Sequence, residues 1–158
     1  MKLFCFASRN QRNITLGVQA KTWATATVSD QAMRVRITKA DRYFRPGDRG
    51  LLYCNPTHSF TTPFIVESRA DPEAIVTDIW PEPWCLPFKI NPLGSLARQL
   101  PAQEAATRWP VLEQRLAANH GRGGASAALC FTGATVFTPV EITDSDWEII
   151  LNDLAARG

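Results

Sequence analysis

The chain opens on an apolar run, Leu3-Phe4-Cys5-Phe6-Ala7, which predicts a buried strand from Lys2 to Ala7. Asn10 to Val18 then predicts a short helix, ended near Gly17. Thr22-Trp23-Ala24-Thr25-Ala26-Thr27-Val28 is dense in β-branched and aromatic residues and predicts a second strand. A further strand is predicted from Met33 to Thr38. The turn signal Arg45-Pro46-Gly47-Asp48 leads into Arg49-Gly50-Leu51-Leu52-Tyr53-Cys54, whose apolar character predicts a central strand. Thr61 to Ser68, centred on Phe64-Ile65-Val66, and the alternating Leu86 to Asn91 predict two more. The second half is more helical. Ala105 to Ala118 carries Trp109, Leu112 and Leu116 at helical spacing, and the glycine-rich His120-Gly121-Arg122-Gly123-Gly124 ends it. Leu129-Cys130-Phe131 predicts a short strand. The last helix has Thr143 as its cap, Asp144 and Asp146 at the positive end of its dipole, and one apolar stripe of Trp147, Ile150, Leu151 and Leu154. Strands and helices interleave irregularly. That order predicts one α+β domain over residues 1–158, built on a small, curved, mixed sheet or barrel flanked by helices.

Composition narrows the class without naming a chemistry. A hydrophobic fraction of 45% and a charged fraction of 20% fit a soluble globular protein. No apolar run is long enough to span a bilayer, and the short apolar start reads as a strand and not a signal peptide, so a cytoplasmic protein is expected. Cys5, Cys54, Cys85 and Cys130 form no CxxC pair, and His58 and His120 are isolated, so no metal site is expected and the cysteines read as small buried hydrophobes. A net charge of +2 does not by itself announce a nucleic-acid partner. Its distribution says more. Arg9, Arg12, Lys21, Arg34, Arg36, Lys39, Arg42, Arg45 and Arg49 crowd the first third, which can present a basic face.

The unusual stretch is Ile79-Trp80-Pro81-Glu82-Pro83-Trp84. Prolines fix φ and remove donors, so it reads as a stiff loop that carries two large rings. Flat rings on a rigid loop suit a flat ligand. A stacked base gains about 1–3 kcal/mol per aromatic partner, and extruding one from a stack costs about a few kcal/mol, so two or three rings suffice to hold it. Asp78 and Glu82 flank the rings and are either solvated acids or acceptors for the exocyclic amine of a base. Catalytic signatures are absent: there is no GxGxxG, P-loop, GxSxG or HExxH, and no cofactor or catalytic residue is indicated.

In order along nearly the whole chain, the motifs resemble the EVE domain of the PUA-like superfamily, related to YTH and ASCH domains. The series runs through Phe4-Cys5-Phe6-Ala7-Ser8-Arg9-Asn10, then Trp23-Ala24-Thr25 after the first helix. It continues with Arg45-Pro46-Gly47-Asp48, Leu51-Leu52-Tyr53 and Phe64-Ile65-Val66-Glu67-Ser68. The tryptophan loop then leads to Leu86-Pro87-Phe88-Lys89-Ile90, and Phe131-Thr132-Gly133 and an acidic last helix close it. Ala134 stands where the family usually has a basic residue.

The resemblance implies a PUA-like fold and a reader of modified bases, not an enzyme. Trp23 would be the floor of an aromatic cage, with Trp80 and Trp84 as walls. Ser8, Asn10, Asp78, Thr25 and Tyr53 would meet the base, and Arg9, Lys21, Arg34 and Arg122 the phosphates. The first expectation is a flipped 5-methyl- or 5-hydroxymethylcytosine in DNA, with a separate nuclease or defence-system protein as partner and no membrane. The alternatives are an RNA reader of a methylated base such as N6-methyladenine, or a PUA-like hydrolase of RNA or nucleotides using Lys21 and Glu67.

Overall fold

The computed structural model describes residues 1–156. The strands are β1 (Lys2–Ser8), β2 (Thr22–Ala26), β3 (Arg49–Cys54), β4 (Ser59–Val66), β5 (Ile75–Val76), β6 (Trp84–Pro92), β7 (Gln99–Pro101) and β8 (Val140–Glu141). The helices are α1 (Gln11–Ala20), α2 (Asp30–Tyr43), α3 (Ala102–Arg108), α4 (Pro110–Ala118), α5 (Gly124–Ala128) and α6 (Asp144–Leu154). The sheet runs β2-β6-β4-β3-β1-β8, with β5 added to β6 and β7 to β4. β1 and β3 are parallel and the other pairs antiparallel, so the fold is α+β on a mixed sheet, as the pattern predicts.

Two bulges bend this sheet. In β4 the extra residue is Thr62, at φ 45°, between the Leu51–Pro63 and Leu52–Thr61 pairs. In β6, Leu86 (φ 54°) and Pro87 together oppose the single residue Ala24. Each bulge is followed or filled by a proline, which has no N–H to give the ladder, and each increases the local twist. The second lies beside Trp23 and fixes where β2 delivers that ring.

The strands bury both faces, so alternate residues enter two cores. Leu3, Cys5, Leu51, Tyr53 and Phe60 pack with Trp109, Leu112, Phe131, Trp147, Ile150 and Leu154 beneath the later helices. Phe4, Phe6, Leu52, Phe64 and Phe88 pack with Ile14, Phe44, Phe137 and the three tryptophans Trp23, Trp80 and Trp84.

Three expectations are corrected. Met33 to Thr38 is not a strand but the middle of α2. Its side chains alternate over five residues, yet Met33, Ile37, Ala40 and Phe44 follow the helical period and pack into the second core, while the Ser29 hydroxyl caps the helix by accepting from the Ala32 amide at 3.3 Å. Leu129 to Phe131 forms no strand; Cys130 turns through φ 58°. The helix expected over Ala105–Ala118 is broken in two, because Trp109 precedes Pro110 and takes an extended backbone. The last helix matches its signature: Thr143 and Asp146 cap each other's backbone amides at 3.1 and 2.9 Å.

Candidate nucleobase site

The tryptophan site assembles where α1 meets β2 and the β5–β6 connection. Gly17 makes this approach possible. A Cβ there would lie 2.7 Å from Cε3 of Trp23, so only a glycine lets α1 rest on that indole. Trp23 is fully buried. Trp80 rises from the connection, and Trp84 is not in a loop but is the first residue of β6, paired with Ala26 and Val76. The prolines confine the irregular segment to residues 77–83 instead of preventing the strand.

The rings meet. Trp23 stands edge-on to Trp80 at 5.7 Å between centroids and 85° between planes. Trp84 lies 6.3 Å from Trp23 and 5.5 Å from Trp80, tilted 49° and 46°. A base held between two parallel rings needs about 7 Å, twice the ~3.5 Å contact distance. These rings touch one another and are buried, Trp23 to 1% and Trp84 to 8% exposure, so they present the face of a packed cluster and not an open sandwich.

A cavity of about 540 Å³ opens on that face, within the range of small-molecule sites. Trp23 and Trp84 line it and Trp80 does not; Trp80 stands behind, its indole N–H donating to the Asn13 carbonyl at 2.9 Å. Phe131, Thr132, Gly133, Val136 and Asn55 also line the cavity. Thr25 lines the cavity while its hydroxyl donates to the Cys85 carbonyl at 3.3 Å. Arg9 and Asn10 are exposed at the rim, where Asn10 Oδ1 caps α1 by accepting from the Asn13 amide at 2.8 Å.

Other candidate residues lie elsewhere. Ser8 is buried off the cavity and holds the rim loop, donating to the Asn10 carbonyl at 2.7 Å. Tyr53 belongs to the opposite core, against Phe131 at 4.6 Å and Phe60 at 5.0 Å, where burial pushes its hydroxyl pKa up. Asp78 is exposed and off the cavity wall. Lys21 ends α1 in a left-handed conformation (φ 49°), and Arg122 lies in the turn before α5. Arg34 lies on the outer side of α2, in a shallow groove with Val35, Arg42 and Tyr43. Neither Lys21 nor Glu67 lines the cavity, and no ion pair joins them among the described residues.

Three polar residues at the cavity come from the long-range packing. Arg36, two residues after Arg34, turns inward: one guanidinium nitrogen donates to the Ala26 carbonyl at 3.3 Å, and its buried Nε has no partner. Burial lowers its pKa below the ordinary arginine value. Asn13 and Glu82 join across the site, with Asn13 Nδ2 donating to Glu82 Oε1 at 2.9 Å. Off the cavity lining, Lys39 of α2 supplies a cation beside Ala134, donating to its carbonyl at 2.5 Å and to the Thr138 hydroxyl at 2.8 Å. Among the described residues no cluster of three or more His, Cys, Asp or Glu side chains can hold a metal, and no helix is long and apolar enough to cross a membrane.

No family model and no curated protein matches the sequence. The fold, in contrast, is similar to those of YTH domains. The YTH domain of Zygosaccharomyces rouxii MRB1, solved in complex with N6-methyladenosine RNA, superposes with a TM-score of 0.55 at 15% identity, covering 96% of this chain and 84% of that one. The Pho92 YTH domain in complex with m6A gives 0.55 at 14%, covering 96% and 81%. The MmI1 YTH domain gives 0.54 at 12%, covering 96% of each. At this identity the likeness is one of fold. The resemblance to EVE domains rests on the motif order alone.

Proposed function

We propose that this chain is a binding module, not an enzyme, that takes a single modified nucleobase into the cavity faced by Trp23 and Trp84. The observation that carries the reading is that cavity: two indole rings on one side, Arg9 and Arg36 at its polar margin, and room for one flat ligand. A methylated base in RNA, N6-methyladenine first, is the favoured ligand, because two structures of the same fold are complexes with N6-methyladenosine RNA or m6A. The EVE-like motif order, from Phe4 through Asn10 to Trp23-Ala24-Thr25, supports a second reading, 5-methyl- or 5-hydroxymethylcytosine in DNA.

Burying one added methyl group gains about 0.8 kcal/mol, roughly fourfold in affinity. A larger preference requires the methyl to fill space the unmodified base leaves void. The test is fluorescence anisotropy with short single-stranded RNA and DNA oligonucleotides, each carrying one modified or unmodified base. Preference for the methylated strand, lost in Trp23→Ala, is the expected result. Equal affinity for every strand, unaffected by that substitution, would end the proposal.

A further inference from the structure

We infer that Glu82 selects the base in this cavity, by requiring an N–H donor on the edge that faces it. The inference rests on the reader function proposed above and names the chemistry of its ligand. Glu82 Oε1 accepts two hydrogen bonds, from Asn13 Nδ2 at 2.9 Å and from Trp84 Nε1 at 3.1 Å. Asn13 is itself locked. It is buried, its amide is held by Asn10 Oδ1, and its carbonyl accepts from Trp80. The carboxylate is thus fixed beside the edge of the same indole that lines the cavity. Its other oxygen, Oε2, accepts from no donor among the described residues, and no arginine or lysine forms an ion pair with it. An ionised carboxylate can only accept. A base lying on the Trp84 face therefore has to offer hydrogen, as the amino groups of adenine and cytosine do.

The class of ligand follows. N6-methyladenine keeps one N6–H and satisfies Oε2. N6,N6-dimethyladenine has a larger apolar edge and no N6–H. Hypoxanthine puts a carbonyl oxygen where the amine stood, opposing the carboxylate with a second acceptor.

The fixed donors also dictate what a glutamine would do. Asn13 Nδ2 and Trp84 Nε1 both donate, so the amide oxygen of Glu82→Gln must take the place of Oε1. Its NH₂ group must then take the place of Oε2, which turns an acceptor into a donor without changing shape.

The experiment measures anisotropy with fluorescein-labelled single-stranded RNA pentamers whose central base is adenine, N6-methyladenine, N6,N6-dimethyladenine or hypoxanthine. The native protein is expected to bind the monomethyl base at least tenfold more tightly than the dimethyl base, and to bind hypoxanthine most weakly. Glu82→Gln should reverse the order of N6-methyladenine and hypoxanthine. Glu82→Ala, which keeps the rings and removes the acceptor, should bring the mono- and dimethyl bases within threefold of each other. Methyl-dependent binding by the native protein, with the same base order in both variants, would overturn the role of Glu82 and leave the reader function standing. Failure of the native protein to bind any pentamer would overturn both.

Discussion

Two faces of one sheet each hold a cluster of aromatic rings and an indole N–H bonded to a carboxylate, and they differ in how that carboxylate is used. On the helical face, Trp109 packs 4.9 Å from Phe60 and donates to Asp153 Oδ2 at 2.8 Å, while Arg108 takes Oδ1. Both oxygens are engaged, and the Asp153 side chain is only 9% exposed. On the tryptophan face, Glu82 is exposed, lines the cavity and receives both of its donors on one oxygen, which leaves the other without a protein donor among the described residues. A fully satisfied buried network rigidifies the fold and leaves nothing for a ligand. An exposed carboxylate with one oxygen free of protein donors, beside a cavity lined by two indoles, is what the proposed reader needs. The contrast separates packing from binding more sharply than the count of tryptophans does, because Trp109 and Trp23 are equally buried at 1%.

The comparison breaks first if the helical face is not purely structural. Trp109→Ala removes a fully buried ring at the junction of α3, α4 and α6. Such truncations cost about 3–5 kcal/mol. At roughly 2–4 °C per kcal/mol for a chain of this size, the thermal midpoint should fall by about 6–20 °C. Oligonucleotide binding, measured well below that midpoint, should be unchanged. Loss of binding at full folding would place the functional surface on the wrong face.

Asp153→Ala and Glu82→Ala form the matched pair. The first leaves the buried Trp109 N–H without an acceptor, a loss of about 1–3 kcal/mol seen by calorimetry, with binding intact. Arg108 is 55% exposed and adds little. The second frees the Asn13 amide and the Trp84 indole N–H, but both line the open cavity, where water replaces the lost acceptor, so the stability loss should be smaller than that of Asp153→Ala while base discrimination collapses. Equal effects of the two on both readouts would erase the distinction between the carboxylates.

Gly17→Ala tests the seat of Trp23. Crowding a packed core costs about 1–3 kcal/mol, and alanine in a helix returns about 1 kcal/mol over glycine. With the nearest ring atom at 2.7 Å and Trp23 enclosed, the ring has to shift. A net stability loss of about 0–2 kcal/mol is therefore expected together with a several-fold loss of base affinity. Unchanged affinity would mean that Trp23 is packing alone.

What the sequence reveals follows the range of the interactions involved. β1, β3, β4 and α6 are legible because burial on two faces, or one helical stripe with its cap, is written within ten consecutive residues. α2 is misread because Met33-Arg34-Val35-Arg36-Ile37 alternates over a window too short to expose Ala40 and Phe44 as continuations of a helical face. Trp84 is placed in a loop because proline usually ends a strand. Here Pro81 and Pro83 both lie before the first residue of β6, where no ladder donor is needed. At the site, Trp23, Thr25, Arg9 and Asn10 can be read from local motifs. Glu82 is visible only as an acid flanking the rings. Its meaning depends on Asn13, sixty-nine residues away in sequence. Arg36 becomes visible only once α2 is known to be a helix, since a strand would send Arg34 and Arg36 to the same side.

That last point yields the smallest predicted effect and the finest test of the two faces of α2. Arg34 and Arg36 are about 200° apart around a helix, one in the outer groove and one at the cavity. If the strand crosses the cavity mouth and not the outer groove, Arg34→Ala should change neither affinity nor its salt dependence measurably. Arg36→Ala should weaken binding to every oligonucleotide alike and reduce the salt slope by about one counterion, the signature of a phosphate contact. A base-dependent loss in Arg36→Ala would instead put its unpartnered Nε against the base edge, beside Glu82, and make the pair a joint reader of donor and acceptor. A slope change in Arg34→Ala would move the nucleic-acid path to the outer side of α2.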